Sequence, residues 1–182
     1  MFFTRWRARR ANRLLIDQIH GEIVAAARAP ALYQEAGVAD TVEGRFEMVV
    51  LHAALVVRRL LALGPQGADM AQELVDRVFR GFEDALREMA IGDVGVARRI
   101  KTMAGDFAGR SRVYAAALDS GDEAALAAAL ARNVYGASAA PPVAAGLARR
   151  AAAAAQALDQ AHYEDFAAGR FRFPAAEGGG AR

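Results

Sequence analysis

Large apolar side chains recur every three or four residues along most of the chain, and this period is the strongest constraint on its fold. In an α-helix such residues share one face, whereas a half-buried strand would alternate apolar and polar residues. No segment alternates over more than a few residues. The pattern therefore predicts an all-α protein, with a single-domain bundle of about six helices over residues 1–173.

The ends of the helices are predicted from capping residues, glycine and proline. The first helix is predicted at 4–27. The second runs from a cap at Asp40 or Thr41 to 63, and the third covers 68–89. The fourth runs from the Gly92–Gly95 break to 118, the fifth from a Ser120/Glu123 capping box to 135, and the sixth covers 141–169. Residues 30–37 are expected to be irregular. The glycine-rich tail, 174–182, is expected to be disordered.

The core is expected where large apolar side chains fall on these helical faces. It should include Phe46, Val50, Val57, Leu74, Val78, Phe82, Ile100, Met103 and Phe107. The longest apolar run, Met48–Val57, is far shorter than the roughly 20 residues of a bilayer-spanning helix and predicts a buried helix instead. His52 lies inside this run and is expected at the edge of the core, bonded to a neighbouring backbone or side-chain group.

The supply of reactive side chains is small. The chain has no cysteine and only three histidines, so thiolate chemistry and zinc–thiolate sites are excluded. Glu43 and Glu47 share a helix face, but the Glu-x-x-His pairs of a carboxylate-bridged metal centre are missing. We therefore expect no catalytic residue, no metal, no cofactor and no small-molecule substrate.

A group of cations follows the glycine break in the middle of the chain. Arg98, Arg99 and Lys101 form either a solvated basic face or a surface for nucleic acid, lipid headgroups or an acidic protein segment. Arg45, beside the apolar run, is expected to be the buried partner of an acid. The residues predicted to contact a partner are Arg45, Asp93, Arg98, Arg99, Lys101 and Arg110.

The N-terminus combines arginines with aromatic residues. Five arginines and no acid occupy the first thirteen residues. Such a segment is suited to a peripheral contact with an anionic membrane. The predicted contact residues are Phe2, Phe3, Arg5, Trp6, Arg7, Arg9 and Arg10. The alternative is an ordinary amphipathic first helix.

Two short segments carry a resemblance to a known family. Glu43–Glu47, which reads Glu-Gly-Arg-Phe-Glu, and Gly92–Val96, which reads Gly-Asp-Val-Gly-Val, resemble the ubiquinol–cytochrome c chaperone family. Phe107–Arg110 and Arg132–Gly136 extend the resemblance, which covers about 14–136. It implies a non-enzymatic assembly factor for cytochrome b in the biogenesis of respiratory complex III. A bacterial member would act near the ribosome in the cytoplasm, peripherally on the inner face of the membrane.

Two classes of function stay open from the sequence. The first is a chaperone with a client groove, and the second is a peripheral membrane or RNA-binding helical adaptor without one. An exposed apolar groove beside the segment Gly92–Lys101 would favour the chaperone. A continuous basic surface without a groove would favour the adaptor.

Overall fold

The computed structural model describes residues 2–89, 92–137 and 142–173, with side chains from Asn12 onward. These ranges contain helices and no strand, so the all-α prediction is confirmed. Six helices are long and two have five residues each. In chain order they are α1 (Phe2–Ala27), α2 (Pro30–Gln34), α3 (Val42–Ala62), α4 (Pro65–Glu88), α5 (Asp93–Ser120), α6 (Glu123–Tyr135), α7 (Pro142–Asp159) and α8 (Tyr163–Ala167).

Helix α3 is the centre of the bundle. It contains the longest apolar run of the sequence and buries residues on most of its circumference. Helices α1, α4, α5, α6 and α7 surround it in that order, each packed against the next. The ring stays open between α1 and α7, which make few direct contacts with each other.

The start of α3 is fixed by its cap and by a close backbone approach. The Thr41 hydroxyl accepts a hydrogen bond from the Gly44 N–H at 3.1 Å, so Thr41 is the cap rather than Asp40. A Cβ at Gly44 would lie 2.0 Å from the carbonyl oxygen of Ala39. Glycine is therefore required here for space.

Two ion pairs show that α3 and α5 run parallel with a fixed offset. Glu47 pairs with Arg110 at 3.1 Å, and Arg58 pairs with Asp119 at 2.6 Å. The first residues of α5 consequently lie beyond the start of α3, by roughly 15 Å at 1.5 Å per residue. There α5 packs against the end of α4.

The predicted core is largely confirmed. Val50, Leu74, Val78 and Phe107 are buried, and Phe46, Val57 and Phe82 pack against them as partly buried residues. Ile100 and Met103 are half-buried. Both lie on the part of α5 that extends past α3, where a central helix to cover them is missing.

The predicted capping box at Ser120 is wrong. The Ser120 hydroxyl donates to the carbonyl of Ala116 at 2.9 Å, inside the last turn of α5. Gly121, with φ of 69°, ends that helix in the left-handed conformation. Asp122 then caps α6 by accepting from the Ala125 N–H at 2.8 Å. A serine that bonds back within its own helix is not available as the next cap.

Two further segments differ from the prediction. The irregular stretch contains the short helix α2, which begins at Pro30. The single helix predicted for 141–169 is divided, because α7 ends at Asp159 and α8 begins after His162. The N–H of His162 donates to the carboxylate of Asp165 at 2.9 Å and fixes this second start. The tail from 174 to 182 lies outside the described residues.

Candidate functional site

An apolar groove of about 610 Å³ occupies the opening between α1 and α7. Its floor is formed by Leu51, His52 and Leu55 of the central helix α3. Its walls are mainly alanines: Ala25 and Ala26 of α1, Ala29 just before α2, and Ala151, Ala153 and Ala154 of α7. Leu51 and Leu55 are each only 1% exposed and lie at the bottom of the groove, whereas Ala25 and Ala153 on its walls are exposed.

His52 gives the floor a polar atom without a charge at neutral pH. Its Nδ1 lies 2.7 Å from the carbonyl oxygen of Met48, so this nitrogen carries the proton and donates it. Burial lowers the pKa of His52, and the bond to Met48 offsets the shift in part. The ring also meets Phe173 edge-on, with 5.3 Å between the centroids. The expectation of a histidine bonded at the edge of the core is confirmed.

The charges at the rim of the groove are paired. Arg150 of α7 binds the carboxylate of Glu35, and Glu22 of α1 lies 3.4 Å from Arg172. Phe173 follows directly and lines one end of the groove. The groove therefore offers an apolar surface framed by compensated ion pairs.

The segments Glu43–Glu47 and Phe107–Arg110 meet inside the molecule. Glu47 is only 8% exposed, and its Oε1 lies 3.1 Å from the guanidinium of Arg110. The same guanidinium lies 5.9 Å from the ring centroid of Phe46. Phe46 stacks obliquely on Phe82 at 4.7 Å. These residues join α3, α4 and α5 at the end of the bundle where α3 begins.

Burial raises the pKa of Glu47 to about 7, although Arg110 acts in the opposite direction. Its Oε2 and the Nη1 of Arg110 are buried without a hydrogen-bond partner in the described chain. Glu43, its neighbour on the sequence, is exposed. Within the described residues there is no group of three or more histidines, aspartates or glutamates that could hold a metal.

The segment Arg132–Gly136 ties the end of α6 to its surroundings. Asn133 donates to the hydroxyl of Tyr114 at 2.9 Å, and the hydroxyl of Tyr135 donates to the carbonyl of Ala36 at 2.6 Å. Burial raises the pKa of Tyr114 to about 12. Gly136 ends the helix with φ of 63°. These residues position helices rather than line the groove.

The structure separates the residues that were predicted to contact a partner. The expectation of a buried Arg45 is wrong: its side chain is 58% exposed and pairs with Asp40 of the preceding loop. Arg110 is the arginine that pairs with a buried acid. Asp93, Arg98, Arg99 and Lys101 are exposed on the first turns of α5. The predicted membrane-contact side chains at the N-terminus lie outside the described ones.

A groove beside the segment Gly92–Lys101 was named as the observation that would favour a chaperone, and no residue of that segment lines the groove found between α1 and α7. Its walls come from α1 and α7, more than a hundred residues apart in the chain. One local signal was present, namely the run Ala151–Ala155, since a long helix without large side chains cannot fill the space beside it.

Comparison with known proteins agrees with this architecture. No helix among the described residues is long and apolar enough to cross a membrane. No curated protein matches the sequence. The crystal structure of the Cbp3 homolog from Brucella abortus superposes with a TM-score of 0.84 at 36% sequence identity, covering 96% of this chain and 97% of that one. The model of the ubiquinol–cytochrome c chaperone family matches residues 34–173. The chain therefore belongs to the ubiquinol–cytochrome c chaperone family.

Proposed function

We propose that this protein is a chaperone for cytochrome b during assembly of ubiquinol–cytochrome c reductase, respiratory complex III. In this proposal, the groove between α1 and α7 receives an apolar segment of the newly made client. The observation that carries it is a groove of about 610 Å³, lined mainly by apolar side chains, in a member of this family. A groove of this volume with a mostly apolar lining is typical of a binding site.

The alanine walls suit a helical client segment. Helices of membrane proteins approach one another most closely where one of them presents small residues. Ala25 and Ala26 on α1 and Ala153 and Ala154 on α7 provide such surfaces on both sides of the groove. An apolar helix could therefore lie between α1 and α7, against their alanines.

The lining supports holding a client rather than a reaction. Its ionisable residues are Glu22, His52 and Arg150. Both charged side chains are in ion pairs, and the His52 proton is bound to a carbonyl. None of the three is arranged as a nucleophile with its base. A non-enzymatic role follows as part of the proposal.

Of the six residues predicted to contact a partner, we keep the five exposed ones as candidate contacts. Arg98, Arg99 and Lys101 are proposed as an outer contact, at the ribosome or at the inner face of the cytoplasmic membrane. Arg45 and Asp93 are also accessible to a partner, whereas the contact of Arg110 with Glu47 gives it an internal role. The adaptor alternative draws on the same exposed cations, but it leaves the groove without a use.

Site-specific crosslinking in cells tests the groove. A photoreactive residue replaces Ala153, which is exposed on the groove wall, and in a control it replaces Ala124, which is exposed on α6. We expect a crosslink to cytochrome b from position 153 and none from position 124. Equal crosslinking from both positions, or none from 153 while complex III assembles, would overturn the proposal.

A further inference from the structure

The end of α4 and the first turns of α5 form a second surface that is suited to a partner. We propose that this corner, residues 87–89 and 92–101, is a contact site for an anionic lipid bilayer. The inference rests on the outer contact proposed above for Arg98, Arg99 and Lys101 and names its partner, but it does not rest on client binding. It concerns the part of α5 that extends past the start of α3. This part carries exposed cations, whereas the groove is apolar and its charges are paired.

The tip of the corner exposes apolar side chains. Val94 is 78% exposed, more than any other large apolar residue among those with described side chains, and Met89 is 49% exposed. Leu86 of α4 and Val96 of α5, close to these two residues in the sequence, are both buried.

Cations surround this tip. Arg98 and Lys101 follow Val94 by four and seven positions, so the three side chains share one face of α5. Arg99 is exposed beside them. No ion pair within the described chain includes these three cations, although twelve other pairs are formed.

The corner has a net positive charge. Its residues include four cations and two acids, Glu88 and Asp93, and thus carry a net charge of +2. Asp93 lies 4.0 Å from Arg87, which reduces its repulsion of an anionic surface.

An anionic bilayer matches both parts of the corner. Exposed aliphatic side chains can enter the headgroup region while the cations behind them meet lipid phosphates. Nucleic acid would use the cations, but its bases are usually held by aromatic side chains rather than by residues such as Val94 and Met89. Cations in the first turns of α5 oppose the helix dipole, so they do not stabilise the helix itself.

Vesicle binding by the full chain tests the proposal. The corner variant carries Arg98→Glu, Arg99→Glu and Lys101→Glu, and its control carries Arg28→Glu, Arg132→Glu and Arg149→Glu at exposed positions elsewhere. Both variants change the net charge equally. On vesicles of phosphatidylglycerol and phosphatidylcholine, we expect the corner variant to bind about a hundredfold more weakly than the control, given the effect of single cations near anionic lipid. Circular dichroism and the melting temperature of each variant report whether it is folded.

A labelled chain tests insertion of the tip directly. Because the chain has no cysteine, Val94→Cys provides a single site for an environment-sensitive dye, and Val143→Cys provides an exposed control. We expect a blue shift on anionic vesicles from position 94 only. Equal vesicle binding by the two charge variants, or no shift at position 94, would overturn the proposal. So would a corner variant that loses binding to an RNA probe but not to vesicles. None of these readouts depends on cytochrome b.

Discussion

Glu47 is the one charged residue that is buried in the described part of the chain. Its neighbours explain both its position and its protonation. Arg110 stabilises the carboxylate at 3.1 Å, while burial and the charge of Asp106 act against it. Burial is the largest cause, and the pKa rises from 4.5 to about 7. At neutral pH, Glu47 is therefore close to its own titration midpoint.

This raised pKa predicts a specific pH dependence of stability. Between pH 4.5 and 7 the folded chain retains a proton that the unfolded chain releases, so the contribution of Glu47 to stability falls as pH rises. Glu47→Gln removes this titration. Relative to wild type, the variant should gain stability across the window, by up to about 3 kcal/mol.

Urea unfolding of both proteins at several pH values between 5 and 8 measures this difference. Burial lowers the pKa of His20 to about 4, which has the opposite effect on stability in part of the same window. Because His20 is present in both proteins, its contribution cancels in the comparison. Parallel pH profiles for wild type and Glu47→Gln would contradict the assignment.

Local patterns in the sequence predict single residues well only when the partner is nearby. The bond between His52 and the carbonyl of Met48 spans one helical turn, and the sequence predicted a bond of His52 to a neighbouring group. Arg110, which pairs with the buried Glu47, lies 63 positions away from it in the sequence. Arg45, which was expected to be buried, is nearer in the sequence but exposed. Sequence distance hides such pairs because only the packing of α3 against α5 brings them together.

At the scale of elements, local chemistry determines where helices start and end. Apolar spacing predicted the six long helices because it reflects the face that each one buries. The exact boundary was missed where two candidates compete, as with Ser120 and Asp122. Both can cap a helix, and the left-handed turn at Gly121 decides between them.

Two glycines with different surroundings test how the helices are positioned. In Gly44→Ala the new Cβ would lie 2.0 Å from the backbone oxygen of Ala39, so the loop before α3 must shift. We expect a loss of about 1–3 kcal/mol in the free energy of unfolding. In Gly105→Ala the new Cβ meets nothing within 4 Å. Here we expect a gain of about 0.5–1 kcal/mol, since alanine favours the helix.

Chemical denaturation of the two variants beside wild type provides the measurement. Equal effects of both substitutions would show that helix propensity alone determines them, against the close approach at Gly44. A loss of stability in Gly105→Ala would show that the exposed face of α5 is covered by other parts of the chain.

In the whole molecule, the proposed function depends on an incomplete ring of helices. Five helices surround α3, and the groove occupies the opening between α1 and α7. Periodicity alone did not reveal this opening, because a helical face looks the same in sequence whether or not a neighbour covers it. The outward cations of α5 were predicted, whereas their separation from the groove became evident only in the fold.

If the open groove holds the client, filling the groove should prevent the assembly of complex III. Ala25→Trp combined with Ala153→Trp places large side chains on both walls at exposed positions, where the fold can tolerate them. The matched control, Ala116→Trp with Ala124→Trp, adds the same side chains at exposed positions outside the groove. The measurement is the amount of assembled complex III in cells that depend on this protein, with the melting temperature of each purified variant. We predict loss of complex III with the filled groove and normal assembly with the control, at similar melting temperatures. Normal assembly of complex III with the filled groove, at normal levels of the variant, would show that the groove does not hold the client.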